Sequence, residues 1–199
     1  MARGGTPAIV ALNAAGVPFQ LHEFEADPAE RHYGQAAALA LGVELERVFK
    51  TLIATVDEHH HVVGIVPVSG QLSLKELAAA VRGKRAEMCL PVTAERLTGY
   101  VVGGISPVGQ KRSLPVVIDE TCVLFDSIFV SGGRRGLDIE IAADDLVAVL
   151  GAVTAPIGTA SSHRDERSGH CPAPTPLESS VTKLGLDHTD LGATRIRDL

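Results

Sequence analysis

Two apolar, β-branched runs, VFKTLIATV (48–56) and VVGIVPV (62–68), are separated by only five polar residues, DEHHH. Runs of this kind joined by so short a turn predict a β-hairpin, which commits the chain to a sheet. Side chains alternate across a strand, so Val48, Lys50, Leu52, Ala54 and Val56 share one face. Phe49, Thr51, Ile53 and Thr55 share the other. Lys50 is the only charge in the first strand, and it lies on the more apolar face. A lysine can bury its stem and carry its amine out to water, and edge strands often carry one against aggregation. The other explanation is a pocket that needs a cation.

The rest of the chain alternates short helices and strands. Thr6–Pro7 is an N-cap with proline at the first helical position, and Gly16 ends that helix. VPFQLHEF (17–24) reads as a strand, ADPAERHYG (26–34) as a polar loop, and QAAALALG as a helix stopped by Gly42. Ser73 and Glu76 form a capping box that opens a helix through Val81, ending at Gly83. AEMCL and TAERL are short pieces. LPVVID (114–119), SIFVS (127–131) and LDIEIA (137–142) are strands, with GGRRG as a tight turn between the last two and AADDLVAVL (142–150) as a closing helix. There is no regular βαβ rhythm. The expected fold is α+β, a mixed, partly barrel-like β-sheet surrounded by short helices. After residue 158 the chain turns polar and proline-bearing. Residues 1–158 are expected to form one domain and 159–199 a mostly disordered tail, with a short helix possible near 177–185.

Charge and cysteines narrow the function classes. A formal net charge of −6 argues against a protein that coats nucleic acid non-specifically, while leaving room for a local basic patch. Cys89, Cys122 and Cys171 are widely spaced and form no CxxC pair, which fits a reducing compartment better than a disulfide framework. No run approaches the ~20 apolar residues of a membrane span, and the first residues do not read as a signal peptide. A soluble, cytoplasmic protein is expected.

The candidate chemistry is sparse. His59, His60 and His61 are adjacent and read as a solvated turn, and His163, His170 and Cys171 lie in the tail. No metal and no cofactor are expected. G-x-S-x-G, G-x-G-x-x-G and the P-loop pattern are absent, so no covalent nucleophile is evident. GYVVGGISPVGQKRSLP (99–115) is the most unusual segment. Gly103, Gly104 and Gly109 permit uncommon backbone conformations, and Pro107 stiffens the loop. Such a loop is either a turn at a sheet edge or a nest of N–H donors for an oxyanion. In VSGGRRGLDIEIA, Asp138 and Glu140 share one strand face, either solvated or functional.

These segments together resemble the YbaK/EbsC family, free-standing aminoacyl-tRNA deacylases related to the editing domain of bacterial prolyl-tRNA synthetase. The carrying residues, in the family's order, are ADPAERHYG (26–34), VFKTL (48–52), VPVSGQLSLKELA (66–78), EM (87–88), TGYVVGGISPVGQKR (98–112), LPVVID (114–119) and VSGGRRGLDIEIAADDL (130–146). They cover roughly residues 6 to 155, and the Cys-tRNA(Pro)/Cys-tRNA(Cys) deacylase branch is the most similar. The resemblance implies hydrolysis of the ester that joins a wrong amino acid to tRNA. It implies a catalytic Lys50, followed by Thr51, and a G-x-x-x-P loop at Gly103 to Pro107. Gly103, Gly104, Ile105 and Ser106 would supply backbone donors. Phe24, Tyr33, Thr51, Pro107, Ser131 and Asp138 would bind substrate. The partners implied are the 3′ aminoacyl-adenosine end of a mischarged tRNA and prolyl-tRNA synthetase, with no membrane and no DNA. Phe24 stands where that branch often has tyrosine, and Tyr33 where it has phenylalanine, so a hydroxyl has moved within the pocket. In that branch the substrate's own thiol is the implied nucleophile. The alternatives are a sister specificity, such as Ala-tRNA(Pro), and a non-catalytic aminoacyl-tRNA binding module.

Overall fold

The computed structural model describes residues 5–25 and 32–160. Among these residues five α-helices, α1 (Pro7–Ala15), α2 (Tyr33–Leu41), α3 (Leu74–Ala80), α4 (Pro91–Thr98) and α5 (Ala143–Leu150), accompany ten strands. These are β1 (Gln20–Glu23), β2 (Val48–Val56), β3 (His60–Pro67), β4 (Gly70–Leu72), β5 (Ala86–Met88), β6 (Val116–Asp119), β7 (Ser127–Arg134), β8 (Leu137–Ala142), β9 (Val153–Ala155) and β10 (Gly158–Ala160).

Local chemistry sets the helix ends. The Thr6 side chain accepts from Ile9 N–H, Pro7 opens α1, and Gly16 closes it at φ 68°. Ser73 Oγ accepts from Glu76 N–H, but only half of the predicted capping box forms, because the Ser73 N–H donates to the Ile157 carbonyl at 2.7 Å. Asp144 and Asp145 fill the first turn of α5, where the helix dipole favours negative charge.

The main sheet runs β1-β8-β7-β2-β3-β6-β9, and β4 pairs with β10 in a separate ribbon. The sheet is mixed: β2 with β7, β3 with β6 and β6 with β9 are parallel, the other pairs antiparallel. β2 is the fork. On one edge it pairs with β3 from Phe49 to Val56. On the other it meets β7 only at Val48 and Phe49, and β5 only from Ala54 to Val56. Residues 50–52 therefore have no strand partner on that edge among the described residues.

Both faces of the sheet are buried. Phe49, Ile53, Ile65, Ile118, Ile139 and Ile141 pack with Leu12 of α1, Leu97 of α4 and Leu146 of α5. Opposite them, Ala54, Val56, Val62, Val66 and Val117 pack with Leu77 of α3 and Ile157, and a smaller cluster joins Val48, Val68 and Phe129 to Ala38 of α2. Each fully buried Leu, Ile or Phe contributes about 1.5–3 kcal/mol by removal from water.

Several sequence expectations shift. α2 begins at Tyr33, which puts that residue on a helix rather than in the polar loop, whose residues 26–31 lie outside the described part. The tight turn between β7 and β8 is Arg135–Gly136 alone. Gly132 and Gly133 belong to β7 and form a bulge between the pairs Ser131↔Asp138 and Arg134↔Leu137. The ordered chain also runs past 158, because Gly158 to Ala160 pairs with β4. The expectation of a disordered tail, with a helix near 177–185 and with His163, His170 and Cys171, otherwise lies outside the described residues. No described helix is long and apolar enough to cross a membrane.

Candidate functional site

A cavity of about 400 Å³ opens where β2 loses its partner. Its size suits a small organic group, and its walls are mostly apolar. Lys50 projects from the open stretch of β2. Its Nζ donates to the Gly70 carbonyl at 2.6 Å, and burial holds its pKa below the ordinary lysine value. Asp138 reaches the same cavity from β8, is 7 % exposed, and is pushed up to about 7 by burial. The two do not form an ion pair: none of the ion pairs among the described residues includes either. Thr51, which also lines the cavity, buries a hydroxyl with no hydrogen-bond partner. An unpaired buried polar atom is uncommon and costs about 1–3 kcal/mol.

The glycine loop forms the opposite wall. Gly103 has φ +87°, and a Cβ there would stand 2.6 Å from the Tyr33 ring and 2.9 Å from Arg135 Nε. A Cβ on Gly104 would stand 2.9 Å from the Arg134 backbone. These glycines are what allow the loop to lie against α2 and the β7–β8 turn. Arg135 locks the contact: its guanidinium stacks over the Tyr33 ring at 4.4 Å and donates to the Val102 carbonyl at 2.8 and 3.2 Å. The far end is held by Tyr100, whose hydroxyl donates to the Val108 carbonyl at 2.8 Å.

Eight of the eleven candidate residues line this one cavity: Phe24, Tyr33, Lys50, Thr51, Gly103, Ile105, Ser131 and Asp138. Three do not. The Gly104 N–H is taken by the Val101 carbonyl at 2.9 Å. Ser106 is fully buried, its Oγ accepting from Val108 N–H. Pro107 borders a smaller cavity with Gln110 and Arg112. These three shape the loop. The N–H groups of Gly103 and Ile105, two residues on the cavity wall, have no acceptor among the described residues.

Met88, Cys89 and Arg135 also border the cavity. The clamp by Arg135 was not foreseen. The signal for it was the arginine pair beside glycines, but only the packed loop gives that arginine its carbonyl. Glu140, the neighbour of Asp138 on the same face, takes no part. It sits among Ser127, His22 and Arg47, and the Ser127 hydrogen bond leads in holding its carboxyl below the usual range. Among the described residues no group of three or more His, Cys, Asp or Glu is placed to hold a metal.

This arrangement coincides with a known family. Residues 28–149 match the profile described as aminoacyl-tRNA editing domain. The chain belongs to the aminoacyl-tRNA editing domain family. A relative from Enterococcus faecalis, named "Putative Cys-tRNA(Pro)/Cys-tRNA(Cys) deacylase EbsC", is 35% identical over 72% of this chain and 87% of its own. The Escherichia coli K12 protein named multifunctional Ser/Thr-tRNA deacylase ProXp-y is 27% identical over 71% of this chain and 84% of its own. The solved structure described as "a putative trans-editing enzyme for prolyl tRNA synthetase" superposes with a TM-score of 0.68 at 25% identity, covering 77% of this chain and 95% of that one. The editing-domain match spans the whole cavity apart from Phe24, and the mixed α+β sheet is that of its structural neighbours.

Proposed function

We propose that this chain is a trans-acting aminoacyl-tRNA deacylase whose substrate is Cys-tRNA(Pro), with Cys-tRNA(Cys) as a second. The observation that carries this reading is the pair of unlike ionisable groups, Lys50 and Asp138, that share an apolar cavity without pairing with each other. An aminoacyl ester on tRNA has matching features: an α-ammonium, a reactive carbonyl, and an anionic phosphate one nucleotide unit away.

In this reading Asp138 receives the α-ammonium. The N–H groups of Gly103 and Ile105 receive the carbonyl oxygen as it becomes an oxyanion. Lys50 orients the terminal adenosine or its phosphate by charge-assisted hydrogen bonds. Neither aliphatic hydroxyl on the wall is paired with a base, since Ser131 Oγ accepts from Gly133 N–H and Thr51 Oγ1 has no partner among the described residues. The substrate's thiol fills the role of nucleophile. Its sulfur attacks the ester carbonyl, the carbon–oxygen bond to the ribose breaks, and the thiol proton ends on the departing ribose hydroxyl. Holding the thiol in place supplies up to ~7–11 kcal/mol in ideal cases. One oriented donor adds about 3–4 kcal/mol.

The catalytic unit ends with β10, the setting is the cytoplasm, and prolyl-tRNA synthetase presents the mischarged tRNA. A panel of Cys-, Ala-, Ser- and Thr-charged tRNAs tests the assignment. Fast release from Cys-tRNA(Pro) is expected, and failure to release any amino acid would refute the function. The 27% identical relative favours a second specificity, for Ser- and Thr-tRNA. Preferential release of serine or threonine would select it, with water as the nucleophile.

A further inference from the structure

Lys50 is held from behind by a strand that lies outside the cavity. Among the described residues its amine has one hydrogen-bond partner, the carbonyl of Gly70. Gly70 opens β4, and among the described residues β4 is paired only with β10, in the register Gly70↔Ala160, Gln71↔Thr159 and Leu72↔Gly158. The approach is close: a Cβ on Gly70 would stand 2.6 Å from the Thr159 carbonyl oxygen.

β10 in turn is latched to the main sheet. Asp119, at the end of β6, is 3 % exposed, and its Oδ2 accepts from the Gly158 N–H at 2.5 Å. Its Oδ1 accepts from the backbone and hydroxyl of Thr121. The Ile157 carbonyl accepts from the Ser73 N–H, which ties the same segment to the start of α3. A buried carboxylate with three donors is a strong anchor.

We propose that β10 is a positioning element of the active site, with Asp119 as its latch, fixing through Gly70 where Lys50 presents its amine. This rests on the deacylase reading for its consequence in catalysis, but not for its geometry. The other charged or titratable groups bordering the cavity are Asp138, Arg134, Arg135, His32, Tyr33 and Cys89, and the amine's hydrogen bond goes to the Gly70 carbonyl.

The test uses the full chain and three variants. Asp119→Asn removes the charge of the latch at constant size. Gly70→Ala wedges β4 from β10. Thr121→Val removes only the hydroxyl bond to Asp119 and leaves the strap in place. Lysine side-chain nitrogen relaxation reads the order of the Lys50 amine, with exposed Lys75 as the mobile reference, and single-turnover deacylation of Cys-tRNA(Pro) reads the consequence. In Asp119→Asn and Gly70→Ala the Lys50 order parameter falls toward that of Lys75. The maximal single-turnover rate drops about tenfold or more, as sub-ångström misplacement can cause, and the protein concentration at half-maximal rate stays within about threefold. Thr121→Val changes neither. The proposal is overturned if Lys50 stays as ordered as in wild type in either strap variant that melts cooperatively, or if Thr121→Val loosens it equally. A wild-type chain that deacylates nothing removes the functional reading, while the order parameters still decide the strap.

Discussion

Lys50 and Asp138 sit in one cavity, and their substitutions separate the roles proposed for them. Lys50→Ala removes the amine and takes its hydrogen bond from the Gly70 carbonyl. Deacylation is expected to fall by at least about 100-fold, with the melting temperature within a few degrees of wild type. Near-normal turnover in that variant would sink the assignment of Lys50. Asp138 makes a pH prediction. Its carboxyl ionises at 3.8 ordinarily and at about 7 in the folded chain, because burial disfavours the charged form. The folded state therefore gains stability from the neutral carboxyl below about pH 4, and loses that gain as the pH rises to about 7. Melting curves between pH 4 and 8 should show this decline, on the order of a few kcal/mol, and Asp138→Asn should flatten it. In kinetics, an α-ammonium needs the ionised form. kcat/KM should rise through pH 7 in wild type, and the rise should vanish in Asp138→Asn.

The glycine loop, α2 and the β7–β8 turn act as one element. Gly103 sits at φ +87°, against Tyr33 and under Arg135. Gly103→Ala meets both a backbone penalty of about 1 kcal/mol or more and a wall of atoms. Reduced thermal stability and loss of deacylation are expected together. Arg135→Lys is the subtler probe. It keeps the charge but loses the flat stack on Tyr33 and the two-pronged donation to Val102. Stability should change by less than about 1 kcal/mol, since the residue is exposed. Amide exchange of the loop should quicken and kcat fall. Unchanged exchange at Gly103 to Ile105 would show that the clamp is idle.

At the scale of the molecule, the charge is net −6, yet the cations are grouped. Arg134 is paired with Glu23 and Arg135 is spent on the loop. Arg82, Lys84 and Arg85 are exposed and form no ion pair among the described residues. Asp57 fixes their turn by accepting the N–H groups of Lys84 and Arg85. β5 then leads from this turn to Met88 and Cys89 at the cavity. Reversing these three charges should lower kcat/KM on full tRNA and flatten its salt dependence. Cleavage of a short aminoacyl-oligonucleotide should be unaffected. Equal loss on both substrates would place the effect in the fold instead.

Much of this protein was written locally. Val48 to Val56 and Leu137 to Ala142 were legible as strands to the residue, because alternation and β-branching act within a few positions. The N-cap side chains of α1 and α3 and the glycine stops of α1 and α2 were legible for the same reason, whereas α3 ends at Ala80 with Val81 as its cap, ahead of Gly83. The ordered motif set carried the family. Tertiary structure alone decided the rest. β4, β9 and β10 are three residues each, too short to have a period of their own, and exist only through their neighbours. The bulge at Gly132–Gly133 comes from register, which no single strand specifies. It also took packing to turn Gly104, Ser106 and Pro107 away from the cavity, to lend Arg135 to the loop, and to put the Gly70 carbonyl behind Lys50. The sequence could name a lysine in an awkward place; the fork in β2, where the sheet has no strand to offer, is what makes that place a pocket.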